Sequence, residues 1–180
     1  VIMVGEVRDT ATAEMAVQAA LTGHLVFSTL HTNDAPSAVS RLMELGVPPY
    51  LINATLLGVL AQRLVRVLCP QCKQPDPDTS SDMLVQAMHP WKFNGQATPY
   101  RPVGCEACRM TGFRGRMGLY ELLVCSDSLR QHIHQSPAME TLRRQAVQDG
   151  MRPLRVSGVL RVAEGQTTLA EVLAATPPLH

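Results

Sequence analysis

The chain has 180 residues, 46% of them hydrophobic and 4% aromatic, with a formal net charge of +1. That length suits one domain or one and a half with a real core, filled by Leu, Val, Ala and Met, and charge this balanced argues against a nucleic-acid partner. No run approaches the ~18 consecutive apolar residues of a membrane-spanning helix, which makes a cytoplasmic chain the expectation.

Residues 1–5 are apolar and stop at Gly5-Glu6, as expected for a buried strand that presents one carboxylate at its end. Asp9 or Thr10 caps a helix that runs to Leu21 and closes at Gly23, where a left-handed C-terminal cap favours glycine. Residues 25–30 form the next strand, flanked by His24 and His31. Strand, helix and strand with polar groups at the strand ends is the pattern of an open α/β sheet, which binds ligands beyond the carboxyl ends of its strands. Asn33 and Asp34 are good N-cap residues for a helix with Pro36 in its first turn, ending at Gly46. Tyr50 to Ala61 is strongly apolar and predicts a helix, and Arg63–Leu68 predicts a strand.

Cys69-Pro-Gln-Cys72 and Cys105-Glu-Ala-Cys108 are two C-x-x-C pairs separated by residues 73–104. Two such knuckles supply the four thiolates that a structural zinc ion takes, with no position open for catalysis. Two disulfides are the alternative, which a reducing compartment disfavours. Lys73, Arg109, Arg114 and Arg116 would offset the thiolate charge. Cys125 is expected to be a small buried hydrophobe. Within the module, a short helix near Asp82–Met88 breaks an otherwise aperiodic stretch, and Gly112, Gly115 and Gly118 bracket its exit loop. Leu119–Val124 then predicts a strand. Beyond Asp127 the pattern is helical: Ser136-Pro137 to Gly150, Pro153 to Gly165, and a last helix opened by a capping box of Thr168 with Glu171. Arg143, Arg144, Arg152, Arg155 and Arg161 predict a basic face. His89, His132, His134 and His180 carry no pattern and are expected at the surface.

Val4-Gly-Glu-Val-Arg-Asp9, Ala19-Ala-Leu-Thr-Gly-His24, Ser28-Thr-Leu-His-Thr-Asn-Asp-Ala35 and Leu60-Ala-Gln-Arg-Leu64 closely resemble the bacterial ATPases of type II secretion (the "E" proteins) and type IV pilus assembly. The tetracysteine segment, Gly115-Arg-Met-Gly-Leu-Tyr-Glu-Leu-Leu123 and Gly165-Gln-Thr-Thr168 continue the resemblance over nearly the whole chain. It implies the C-terminal half of a RecA-like P-loop ATPase core, beginning at the Walker B segment, with an inserted tetracysteine zinc module and a helical C-terminal region. The implied divisions are 1–68 for the partial core, 69–116 for the zinc module, and 117–180 for a returning strand with the helical region.

The resemblance also implies ATP with Mg as substrate, a homo-hexameric motor, and inner-membrane platform proteins as partners, with the motor peripheral at that membrane. Since no GxxxxGK[ST] loop occurs among these residues, the chain is expected to be part of a longer protein and to hydrolyse essentially nothing alone. Glu6 matches the carboxylate that polarises the attacking water, and Gly5 would let the backbone approach phosphate closely. His24 and His31 match the family's His box, with His31 the candidate for sensing the γ-phosphate. Thr29 and Thr32 either donate toward phosphate oxygens or hold Glu6. Arg8 reaches nucleotide or a subunit interface; Gln62 and Arg63 match a Gln-Arg-Leu motif without an assigned contact. Two other readings remain open: a zinc-ribbon module that docks on a membrane platform protein, and a conjugation-type ATPase of the same superfamily.

Overall fold

The computed structural model describes residues 1–92, 97–134 and 137–179. Ser136, read as a helix opening, and His180, read as a surface residue, lie outside them. The chain is mixed α/β and divides into two compact units, Val1–Ala61 with Leu122–Met151 and Gln62–Glu121 with Arg152–His180. No described helix is long and apolar enough to cross a membrane.

In the first unit, β1 (Ile2–Met3) and β2 (Val26–Phe27) pair in parallel, Ile2 opposite Val26 and Met3 opposite Phe27. Both are shorter than the expected 1–5 and 25–30, although Val4 N–H to Phe27 O and Val7 N–H to Thr29 O continue the pairing at 2.8 and 3.0 Å. Burial is also less than expected, since Val1, Met3 and Phe27 are exposed. Between them runs α1 (Thr10–Leu21), with Asp9 accepting from Thr12 N–H at its start and Gly23 at φ +91° past its end. This is the predicted start and stop.

In α2 (Ser37–Glu44), Asp34 Oδ1 accepts from Ser37 N–H at 2.9 Å, and Gly46 turns the chain at φ +88°. The predicted helix from Tyr50 to Ala61 is wrong in its second half. α3 (Pro49–Thr55) ends early, and Gly58 begins β3 (Gly58–Leu68). From Gly58 the burial alternates with a period of two, which an apolar helix does not do. A Cβ on Gly58 would stand 2.8 Å from Leu123 O, so close backbone approach selects glycine there. The core of the unit gathers Val7, Ala13, Val39, Ile52, Leu123, Leu129 and Leu142, with Cys125 buried among them as expected.

β3 pairs with β6 (Phe113–Val124), which begins six residues before the predicted strand. Gly115 and Gly118 therefore lie inside a strand, not in an exit loop. In the second unit, β4 (Gln74–Pro75) and β5 (Tyr100–Arg101) form a short antiparallel ladder. α4 (Ser81–Met88), capped by Ser80, matches the expected short helix and packs on α7 (Leu154–Ala163), which packs on α8 (Leu169–Ala175). Gly158 of α7 allows this approach, since a Cβ there would lie 2.5 Å from Val172. α5 (Asp127–Arg130) and α6 (Met139–Gln148) belong to the first unit.

The capping box at α8 is half made. Thr168 Oγ1 accepts from Glu171 N–H, but Glu171 turns away to take Arg66 N–H and Nη2 at 3.1 and 2.6 Å. The predicted basic face does not form as read. Arg143 is bound to Asp34, Arg155 is half-buried on Thr176, and Arg161 pairs with Glu164. Of the expected surface histidines, His89 and His134 are exposed and His132 is half-buried.

Candidate functional site

The parallel register of β1 and β2 brings their carboxyl ends side by side, so residues beyond one strand face residues beyond the other. Glu6 follows β1 and His31 follows β2. His31 Nε2 stands 2.7 Å from Glu6 Oε1, an ion-pair distance rather than an aligned hydrogen bond. Arg8 Nε donates to the other oxygen, Oε2, at 2.5 Å, with Nη2 equally near. The Glu6 side chain is 17% exposed, while those of Arg8 and His31 are 75% and 87% exposed. The hydrogen bond from Arg8 holds the Glu6 carboxyl below its ordinary range; partial desolvation opposes it, and the Arg8 and His31 charges assist. The result is an ionised carboxylate with one oxygen occupied and the other sheltered beneath an imidazole.

Thr29 donates its hydroxyl to Gly5 O at 2.7 Å and its carbonyl accepts from Val7 N–H, so the backbone is held on either side of Glu6. Of the two alternatives left open for this threonine, its contact is with the strand end that carries the carboxylate. Space around Gly5 is open, so nothing within the chain itself demands glycine there. Thr32 donates to Asp34 O at 3.0 Å and orders the loop after His31. His24 is placed differently. Its Nδ1 lies 3.2 Å from both Ala19 O and Thr22 Oγ1, at the end of α1. Gln62 and Arg63 belong to the second unit, where Gln62 Nε2 donates to Tyr120 Oη at 3.4 Å and Arg63 Nη1 to Gln62 O at 3.1 Å.

The second site is the cysteine cluster. All five cysteines are free thiols, and the sulfurs of Cys69, Cys72, Cys105 and Cys108 lie within 4.8 Å of one another. Sγ separations are 3.9 Å for Cys69–Cys105 and 3.8 Å for both Cys72–Cys108 and Cys105–Cys108. A tetrahedron with zinc–sulfur bonds of ~2.3 Å has edges of about 3.8 Å. The donor set, with three of its separations at that edge length and the rest within 4.8 Å, fits a metal ion of that kind.

Backbone amides complete the cluster: Gly104 N–H donates to Cys72 Sγ at 3.3 Å, and Cys105 and Gly112 N–H donate to Cys108 Sγ at 3.2 Å each. Gly104 and Gly112 sit at φ +114° and +77°, where a Cβ would collide with Met110 O and with Pro102. These glycines deliver the amides to sulfur. Crowding of protein around Cys108 opposes its ionisation, yet the two amides pull its thiol down to about 6. Crowding, opposed by the Gly104 amide and assisted by neighbouring thiols, pushes Cys72 up to about 11. Binding a cation to four thiols releases their protons, so its affinity rises with pH.

Of the basic residues expected to neutralise the cluster, Lys73 is engaged elsewhere. Lys73 Nζ donates to Gly165 O at 2.6 Å and lies 4.4 Å from the Tyr100 ring, which pins the knuckle to the end of α7. Arg109, Arg114 and Arg116 are exposed. Two further polar residues had no sequence signal beyond their local setting. Asp34 was legible as a helix cap, but not as the partner of Arg143. Glu121 is buried and accepts from Leu154 N–H at 2.9 Å, filling the capping role that Pro153 has no side chain to perform.

Residues 1–174 match the sequence profile of the family described as type II/IV secretion system protein. The chain belongs to this family. It is 49% identical over 177 residues to the type IV pilus assembly ATPase TfpB of Acinetobacter baylyi, covering 98% of this chain and 30% of that protein. It is 47% identical to the type II secretion system protein E of Aeromonas hydrophila, covering 98% and 34%. It is 46% identical to the type IV pilus assembly ATPase PilB of Thermus thermophilus, covering 98% and 20%. The chain thus spans about a third or less of these relatives. Among solved structures, the Legionella pneumophila ATPase DotB superposes with a TM-score of 0.62 at 20% identity, over 96% of this chain and 37% of that one. That likeness is one of fold, and it bears out the expected α/β, RecA-like fold class.

Proposed function

We propose that this chain is the part of an ATP-hydrolysing motor subunit that supplies the water-activating carboxylate, and that the motor drives assembly of pilin or pseudopilin filaments. The observation that carries the reading is the Glu6–His31–Arg8 cluster, built where two parallel strands end, in a chain 46–49% identical to pilus and secretion proteins. Arg8 keeps Glu6 ionised and oriented, as a general base or water-orienting group requires. Gly5, locked by Thr29, holds the carboxylate at the strand end, and Thr32 orders the loop that carries His31. When bound, Mg and ATP supply the electrophilic phosphorus and its charge compensation. His31, exposed and next to Glu6, is the group best placed to report the state of the nucleotide. His24, Gln62 and Arg63 are proposed as coupling residues, and Arg8 as one that also reaches nucleotide or a subunit interface.

In this reading Cys69, Cys72, Cys105 and Cys108 hold a structural zinc. The phosphate-gripping loop lies elsewhere in a longer protein, so residues 1–180 alone would not turn over ATP. The motor works as a homo-hexamer on the cytoplasmic side of the inner membrane, held there by platform proteins. The proposed divisions remain 1–68, 69–116 and 117–180. The test is Mg-dependent ATP hydrolysis by the full-length protein, wild type against Glu6→Gln, with metal content measured on both. We expect turnover to fall at least about 100-fold in the variant with nucleotide binding retained. Near-normal turnover in Glu6→Gln would remove Glu6 from the mechanism.

A further inference from the structure

The His31 imidazole is 87% exposed, so packing does not hold the ring. Its place 2.7 Å from Glu6 Oε1 depends on where the backbone puts residue 31. On the upstream side that backbone is fixed by the register of β2 and by the Thr29 hydroxyl on Gly5 O. On the downstream side Ala35 is buried in the core, and beside it one polar anchor is Asp34, a carboxylate only 8% exposed.

Asp34 Oδ1 takes the Ser37 amide at 2.9 Å, which suffices to open α2. Its Oδ2 takes both Nε and Nη2 of Arg143, at 3.1 and 2.9 Å, and its carbonyl takes the Thr32 hydroxyl. Arg143 comes from α6, whose Leu142 and Ala146 are buried in the core of the same unit. Against partial burial, the hydrogen bonds from Ser37 and then those from Arg143, with its charge, hold the Asp34 carboxyl below its ordinary range. A helix cap needs none of this from α6. A loop that must keep a solvent-exposed ring against a carboxylate does.

We propose that Arg143 is a positioning residue: through Asp34 it fixes the loop 31–35 and thereby the His31–Glu6 distance. α6 then sets the geometry of the carboxylate site without touching it. The inference rests on the ATPase reading given above.

The test is a double-mutant cycle in the full-length protein, with kcat and KM for Mg-ATP measured for wild type, Arg143→Ala, His31→Ala and the double variant, and Glu6→Gln run beside them. Misplacement on the scale of 1 Å costs up to about 100-fold in rate. We expect Arg143→Ala to lower kcat by about tenfold, with KM changed by less than about threefold. In the His31→Ala background the same change should add less than about twofold, because coupled residues do not act additively. A purely structural ion pair gives equal factors in both backgrounds, and that result, or a kcat for Arg143→Ala within twofold of wild type, overturns the inference. If Arg143→Ala does not fold, the cycle is run with Arg143→Lys and judged by the same criteria. A wild type without Mg-dependent hydrolysis overturns the ATPase reading and this inference with it. A wild type that hydrolyses, loses turnover on Glu6→Gln and shows additive factors overturns the positioning role alone.

Discussion

In the first unit the polar groups of interest stand at strand ends and face solvent: His31 and Arg8 are almost fully exposed around a Glu6 that is only partly covered. In the second unit they are turned inward, with Cys69 and Cys108 buried, Glu121 at 3% exposure and Thr167 at 0%. Backbone meets most of these inward groups: amides on the Cys108 sulfur, Leu154 N–H on Glu121, and Arg66 O, which accepts from the Thr167 hydroxyl at 2.8 Å. Such groups hold a small unit together, because each would be costly to bury alone. The outward cluster adds little stability, since exposed ion pairs are worth ~0–1 kcal/mol, and it leaves Arg8 and His31 open to solvent around the carboxylate they cover. Asp34 is the exception in the first unit, a buried carboxylate beside an exposed site.

The sharpest way to break this contrast is to remove the cysteines. Cys69→Ser with Cys72→Ser should lower bound zinc from about one per chain to none and unfold the second unit, since structural zinc in small modules contributes ~10–16 kcal/mol. Zinc content and amide exchange would show it; retained exchange protection in residues 62–121 would mean that the cluster is not what holds this unit. Glu6→Gln is the opposite case, a large loss of turnover with a melting temperature close to that of wild type. Next comes Glu121→Ala, which leaves the Leu154 amide buried without its acceptor and should cost about 2 kcal/mol in denaturant unfolding.

Asp34→Asn tests the exception through pH. The Asp34 carboxyl lies below its ordinary value of 3.8 in the folded chain. Its stabilisation is therefore full above that value and disappears as pH falls through the lowered one. The variant should be less stable at neutral pH and show a shallower loss on acidification, read from melting temperature against pH. Equal acid limbs in the two proteins would show that Asp34 is not paired as described. Smallest is Thr168→Ala, which removes the cap of α8 and should cost about 1 kcal/mol, as measured by chemical unfolding.

What was legible in the sequence was local. Asp9 and Thr168 cap helices within three residues of themselves, and Gly23, Gly46, Gly150 and Gly165 turn left-handed just past helix ends. The C-x-x-C spacing announced a cluster because each pair brings its own two sulfurs together. Contacts between distant residues left little trace. Gly58 read as the middle of an apolar helix because its reason, the carbonyl of Leu123, lies far along the chain. Arg143 read as one of a basic set because its partner is Asp34, and Glu171 read as half of a capping box although Arg66 takes its carboxylate. The Glu6–His31 pairing follows from parallel strand register, which motif spacing suggests but does not determine. A resemblance to known proteins named the residues; the strands put them in contact.

The order in which the chain visits its two units has a consequence for synthesis. The core of the first unit needs Leu123, Leu129 and Leu142 as well as Val39 and Ile52, yet all of 62–121 is translated between these two groups. At roughly 5–20 residues per second, the apolar faces of α1, α2 and α3 wait on the order of several seconds for their partners to leave the ribosome. The second unit meets the same delay, since α7 and α8 arrive after residues 122–151. Neither unit can close as a nascent domain in the usual N-to-C sequence. During translation both present unfinished apolar surface, while the four cysteines, all within 69–108, leave the ribosome as one continuous stretch.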